Sequence, residues 1–558
     1  MEATEQMEDV PDILVPMEMK QAKEVEVETN ILEPVSHIYN SRDGGRTRWV
    51  LPSKGVLNAP NTAIVFEIVN GASQGAGTDR RLMFPLGSGG HALVERLTVR
   101  SGSQILSQIN KAGLYNTMKT QFYSQSYRRN ILDIRHHSSN SIKTKILPNN
   151  SGSAPVAGYT LGQGLVGYHQ VSNDDIDVQN CWGDIIKSDA DVQHLPMKNK
   201  LLRDFDNGGK GPQVVLRLAD LMNFFEANNL PLAYMAQVEI ECEWKRGPAA
   251  ADQLSDLIDS PVVPHKIDLA GATTGLDIAF VEPPVLHVDY LHYNEEENAK
   301  TQARIEKGVV MNFTEVVHTN GVNPELGAVA DGEHVVASNH IIGMAGKEVK
   351  KIYVVKNYDK KSAEGVVEKD YTQAGCQTHR NQYLQDFKSI QLPKEKYNFI
   401  INNNRIYGLD ISNPSQAYNQ IAQCDKPPQI LPAAYDTHNF NADVCSLLNN
   451  TKDAGTVDNA SADSAATQRI FGGNNNVIGL NLDKYIELDM QNGRYKFATP
   501  GNGTRIGSAP IEFRYECTKT RDAGTPANEN RAAVNLDFFI EYRRSMILNN
   551  MGVNVMDR

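Results

Sequence analysis

Apolar and polar residues alternate along most of this chain, and a period of two is the side-chain repeat of a β-strand with one face on a core. In 63-AIVFEIV-69, Ile64, Phe66 and Ile68 share a face. In 237-QVEIECEW-244, Val238, Ile240, Cys242 and Trp244 face away from Gln237, Glu239, Glu241 and Glu243. The segments 352-IYVVKNY-358 and 535-NLDFFIEYRR-544 read the same way, the latter with Leu536, Phe538, Ile540 and Tyr542 on its apolar side. Half-buried strands of this kind belong to antiparallel sheets. Helical periodicity is confined to 109–124, 217–227 and 413–423, too little to supply the crossovers of a parallel sheet. The pattern predicts an all-β chain built as sandwiches or jelly rolls, with a few short helices in the connections.

At 558 residues the chain is long enough for two large β domains. Strand pattern stops after Trp244, and the stretch 247–275 has the Pro, Gly and small polar residues of a connection. The predicted layout is an N-terminal arm over 1–42, a first β domain over 43–247, a linker over 248–280 and a second β domain over 281–558. Residues 138–180 and 434–476 are rich in small polar residues and read as exposed loops, the latter as a long insertion in the second domain. No internal repeat is visible in the sequence.

The charge is uneven. Against 55 Lys and Arg stand 67 Asp and Glu, a net charge of −12, which argues against a surface built to grip phosphate backbones. Residues 1–29 hold nine acids and two lysines, so −7 of that total sits in the arm. Val10, Ile13, Leu14, Val15 and Met17 lie among these acids, the composition of a linear segment that orders on a partner. The six cysteines form no C-x-x-C, and the N-terminus is acidic where a secretory signal would be basic and then apolar. Synthesis in a reducing compartment, cytosol or nucleus, is the expectation.

Several constellations invite a chemical reading. The string 162-GQGLVG-167 matches G-x-G-x-x-G but lacks the preceding buried strand and following helix that would place a pyrophosphate on a helix N-terminus. A flexible glycine loop is expected. Glu239, Glu241 and Glu243 share one strand face, roughly 7 Å apart in sequence-adjacent pairs, within the span of glycosidase carboxylates. The string 239-EIECE-243 also resembles the E-I-D-x-E strand of jelly-roll β-glucanases, with Glu241 in place of Asp. A glycan hydrolase or glycan-binding protein using that face is therefore the alternative reading, set against a plain solvated strand face. His136-His137 reads as a surface turn, 204-DFDNGGKG-211 as a tight glycine turn with Val215 where a calcium loop needs Glu, and Glu295 to Glu297 as an exposed turn or helix start. No cofactor or metal is expected.

The order of segments carries more than any one of them. Residues 46-RTRWVLPSKGVL-57 and 92-ALVERLTVRSGSQILSQINKAGLYNTM-118 resemble the opening of the major capsid protein of polinton-like viruses. The segments 216-LRLADLMNFFEANNLPLAYMAQVEIECEW-244 and 285-VLHVDYLHYNEEENAK-300 resemble, respectively, the closing strands of the first roll and the opening of the second in the wider double jelly-roll family of virophages and nucleocytoplasmic large DNA viruses. The segment 534-VNLDFFIEYRRSMIL-548 suits the last strand of the second roll. The resemblance implies a non-enzymatic coat protein of two jelly rolls in tandem. Its homotrimers would be pseudo-hexagonal and tile an icosahedral virion shell assembled inside a host cell. It further implies contacts with neighbouring capsomers, penton and minor capsid proteins, and no sequence-specific nucleic-acid binding; an internal membrane is left open. An acidic arm facing the interior would repel DNA, so it is expected to dock on a neighbouring capsomer or a basic minor capsid protein.

Overall fold

The computed structural model describes residues 25–70, 89–120, 213–247, 278–358, 394–422, 477–483, 503–521, 531–549 and 552–557, with a few shorter pieces between them. The arm residues Val10, Ile13, Leu14, Val15 and Met17, the glycine string 162–167, the turn 204–211, His137 and the insertion 434–476 lie outside the described residues.

Two β-sandwiches are present. In the first, strands β1 (Val25–Leu32), β2 (Ser36–Asn40), β3 (Gly44–Leu51), β4 (Ala63–Asn70), β5 (Val94–Ser101) and β6 (Gln104–Asn110) precede helix α1 (Ala112–Thr120). They are followed by β7 (Gln213–Arg217), β8 (Val238–Trp244) and β9 (Val285–Tyr293). One sheet runs β2-β3-β8-β5-β6 and the other β1-β9-β4-β7. The alternation in β8 is realised residue by residue: Val238, Ile240, Cys242 and Trp244 are buried and the three glutamates between them are not fully so.

Helix α2 (Glu295–Lys307) leads to the second sandwich. Asn294 caps it by accepting from the Glu297 amide, three glutamates sit in its first turn and Arg304 and Lys307 in its last, each matching the sign of the helix dipole there. Gly308 ends it at φ +94, a conformation that side chains resist. Strands β10 (Val309–Asn323), β11 (Gly332–Ile342), β12 (Glu348–Tyr358), β13 (Lys396–Ile401) and β14 (Asn404–Arg405) follow, and then β15 (Ile478–Asn481), β16 (Ile511–Arg521), β17 (Val534–Asn549) and β18 (Gly552–Asp557).

Their order identifies the fold. One sheet runs β10-β17-β12-β15 and the other β11-β16-β13-β14. Numbered from one to eight along this sandwich, these are 1-8-3-6 and 2-7-4-5, the two interleaved Greek keys of a jelly roll. The first sandwich repeats part of this order, with β3-β8-β5 as 1-8-3 and β4-β7 as 2-7, and adds the hairpin strand β6 beside β5 and β9 with β1 beside β4. The chain is a double jelly roll whose duplication is legible in topology although not in sequence.

Four expectations need correction. The arm is shorter than 42 residues, because β1 and β2 already pair within the sheets of the first sandwich. The segment 285–293 does not open the second roll. As β9 it is hydrogen-bonded between β1 and β4, and Trp49 of β3 donates from its indole to the Pro284 carbonyl at 3.1 Å. Strand Ile278–Phe280, expected in the linker, likewise pairs with β4. His136 is no surface residue either: it is 2% exposed, with its Nδ1 3.2 Å from Nδ1 of the equally buried His91.

Candidate assembly surfaces and the junction between the rolls

The carboxylate row on β8 is the place where a catalytic reading would have to stand. β8 lies between β3 and β5, and both neighbours present arginines to it. Arg48 approaches Glu239 at 3.7 Å, Arg100 approaches Glu241 at 3.8 Å, and Arg96 pairs directly with Glu243. All three acids thus have the same surroundings, whereas glycosidase chemistry needs an acid and a base set apart by theirs. Trp244 points to the interior, packed edge-on against Phe66. The row is a cross-strand ion ladder that stiffens the outer face of the first roll. Glu243→Gln is expected to cost less than about 1 kcal/mol, because Arg96 and Glu243 are both partly solvated. A urea titration of the single variant measures it.

No described group of three or more His, Cys, Asp or Glu side chains could hold a metal ion. No helix among the described residues is long and apolar enough to cross a membrane.

The densest polar chemistry lies where the two rolls meet. β17 carries Leu536, Phe538, Ile540 and Tyr542 into the interior of the second roll, and its alternate residues Asp537, Phe539 and Glu541 face the first roll. Phe539 packs at a tilt 5.4 Å from Tyr115 of α1, and Phe313 of β10 meets Phe224 at 5.0 Å. The apolar cluster of the first roll runs on without a break through Val309, Met311, Phe313 and Phe539. Around this contact, three second-roll acids accept from first-roll donors. Lys111 donates to Asp537 at 2.8 Å, and His318 lies 2.7 Å from the same carboxylate. Tyr115 and Lys119 donate to Glu541 at 2.6 and 3.2 Å. The Gln108 amide donates to Glu315 at 2.8 Å. Burial works against ionisation of Asp537, but His318 and Lys111 outweigh it and hold that carboxyl below its usual value.

These bonds, from first-roll donors to second-roll acids, tie the rolls together at three points. Sequence reasoning missed it because Asp537 and Glu541 look like the polar face of an amphipathic strand. A signal was present: Phe539 stands between them on that face.

The outward edges differ from the junction. β1 and β2 are edge strands of the two sheets of the first roll, and between them Val27, Ile31, Val35 and Ile38 are 56 to 66% exposed. β11 is an edge strand of the second roll, with Val335 and Ile341 similarly exposed.

No known family profile matches the chain, and no curated protein does. Solved structures do. A chain of the Sputnik virophage is similar at 10% identity and a TM-score of 0.48, over 97% of this chain and 89% of that one. The Faustovirus major capsid protein is similar at 9% identity and a TM-score of 0.46, over 97% and 94%. A chain of the PBCV-1 virus capsid is similar at 8% identity and a TM-score of 0.45, over 96% and 98%. It is the strand order given above, and not these likenesses, that makes each half a jelly roll.

Proposed function

We propose that this chain is the major capsid protein of an icosahedral DNA virus, a non-enzymatic subunit whose homotrimers tile the shell. The observation that carries the reading is the pair of jelly rolls locked side by side by the polar junction. Three such chains would set six similar sandwiches around a threefold axis, so that one sequence could serve both the trimer and a near-sixfold lattice. The exposed apolar edges of β1, β2 and β11 support it, since unpaired strand edges with apolar side chains are surfaces for association. The order of the resembling segments supports it as well.

In this reading the acidic arm, with Val10, Ile13, Leu14, Val15 and Met17, docks on a neighbouring capsomer or a basic minor capsid protein. Penton and minor capsid proteins are the further partners, and the protein's place is the virion, reached by assembly inside the host cell. The test is size and shape. The purified full chain is expected to sediment as a trimer of about 185 kDa, three times 61.7 kDa, with a hexagonal outline in negative stain; dispersed monomers would overturn the proposal. A chain lacking residues 1–24 is expected to form the same trimers and to fail at shell closure, and normal shells from it would remove the arm's role.

A further inference from the structure

We propose that Glu315 is a proton-operated latch between the two rolls: neutral, it lets the junction close, and ionised, it loosens it. Glu315 stands on β10 with its side chain only 3% exposed, against β6 of the first roll. Its Oε1 accepts from the Gln108 amide, and Ser107 of the same strand also hydrogen-bonds to it. Its Oε2 is buried without a hydrogen-bond partner. The nearest cation, Arg544 of β17, stays 3.4 Å from that oxygen. It donates from Nη1 to the Leu106 carbonyl at 3.2 Å, and its Nε lies 3.0 Å from Asp557 of β18 as an ion pair without a hydrogen bond. Tyr542, opposite Glu315 in register on β17, donates its hydroxyl to Asp557 as well. Every facing group is therefore engaged elsewhere or reaches only one of the two oxygens.

A buried carboxylate with one oxygen that accepts no hydrogen bond and meets only an ion-pair contact at 3.4 Å is costly, and a carboxylic acid less so. Burial accordingly pushes the Glu315 carboxyl up to about 7, against the opposing pull of Gln108 and Arg544. The sign follows from the folded value exceeding the ordinary 4.5. What the neutral group contributes is full below 4.5 and is lost as pH rises to about 7. Above that, the ionised group demands water or a closer Arg544, and either spreads β6 from β10. Among the described residues, neither Asp537 nor Glu541 in the same junction has a buried side-chain oxygen without a hydrogen-bond partner.

The latch lies within one chain, so its test does not depend on the capsid reading. Hydrogen exchange of the β6 peptide, corrected for intrinsic rates, is followed in the full chain from pH 4.5 to 7. Opening should increase with pH, by at most about tenfold per unit, and Glu315→Gln should abolish the slope. Other groups also respond to pH, His91 among them, whose burial and neighbour His136 hold it well below its usual value; the difference between variant and wild type removes their part. Equal slopes in both proteins would overturn the proposal. So would an infrared spectrum of the wild type with no buried carboxylic acid lost as pH rises to about 7, a readout that does not require the variant to fold.

Discussion

Phe513→Ala should cost the second roll about 3–5 kcal/mol, the range for removing a fully buried aromatic side chain. Phe513 sits on β16 with no exposed surface, at the meeting point of both sheets. Its ring lies 4.8 Å from Phe399 of β13, 5.4 Å edge-to-face from Phe538 of β17 and 6.1 Å from Tyr515, so its loss removes aromatic contacts as well as area. These neighbours come from three different strands and cannot all move in. Chemical denaturation monitored in the second roll should show a lower midpoint with an unchanged slope. A loss under about 1 kcal/mol would mean that the cluster repacks around the void, against the rigidity argued for it.

The sequence made the interior of each sandwich legible because alternation reports a core on one side. Ile64, Phe66 and Ile68 are buried as their spacing predicts, and so are the apolar residues of 237–244 and 535–544. Helices 112–120 and 414–422 fall inside the periodic stretches. The boundary between the rolls was not legible, because β9 pairs with β1, more than 250 residues earlier in the chain. Register of that kind is set by tertiary pairing and leaves no local trace.

Alternation also fails where a strand is buried on both faces. Lys356 in 352-IYVVKNY-358 reads as a solvated position, yet it has no exposed surface and donates to Glu395 at 2.6 Å. Its partner is 39 residues away, and without that carboxylate the position would be intolerable for an ammonium. The glutamate row of β8 is the converse case. Its spacing was read correctly, but the arginines that define its role come from β3 and β5, so the chemistry of the face is a property of the sheet and not of the strand.

Glu541 is where the junction should be most vulnerable. Its side chain is 8% exposed and accepts from Tyr115 and Lys119, with Lys351 4.0 Å away. Truncation to alanine removes the 2.6 Å acceptor of the Tyr115 hydroxyl and the 3.2 Å carboxylate beside Lys119, though Lys119 keeps the Tyr353 ring at 5.1 Å. A fully buried pair broken in this way costs about 3–5 kcal/mol. Because Lys119 and Lys351 retain some access to water, the expected loss is about 2–4 kcal/mol. It should appear as faster hydrogen exchange in α1 and β17 together, since the damage lies between the rolls. Pairing Lys119→Met with Glu541→Leu removes both charges, and the double variant should be more stable than Glu541→Leu alone, with a coupling of about 1 kcal/mol or more in the double-mutant cycle built from these two substitutions. Additive losses would show that Lys119 and Glu541 act separately, leaving the apolar contact of Tyr115 with Phe539 as what ties the two rolls together there.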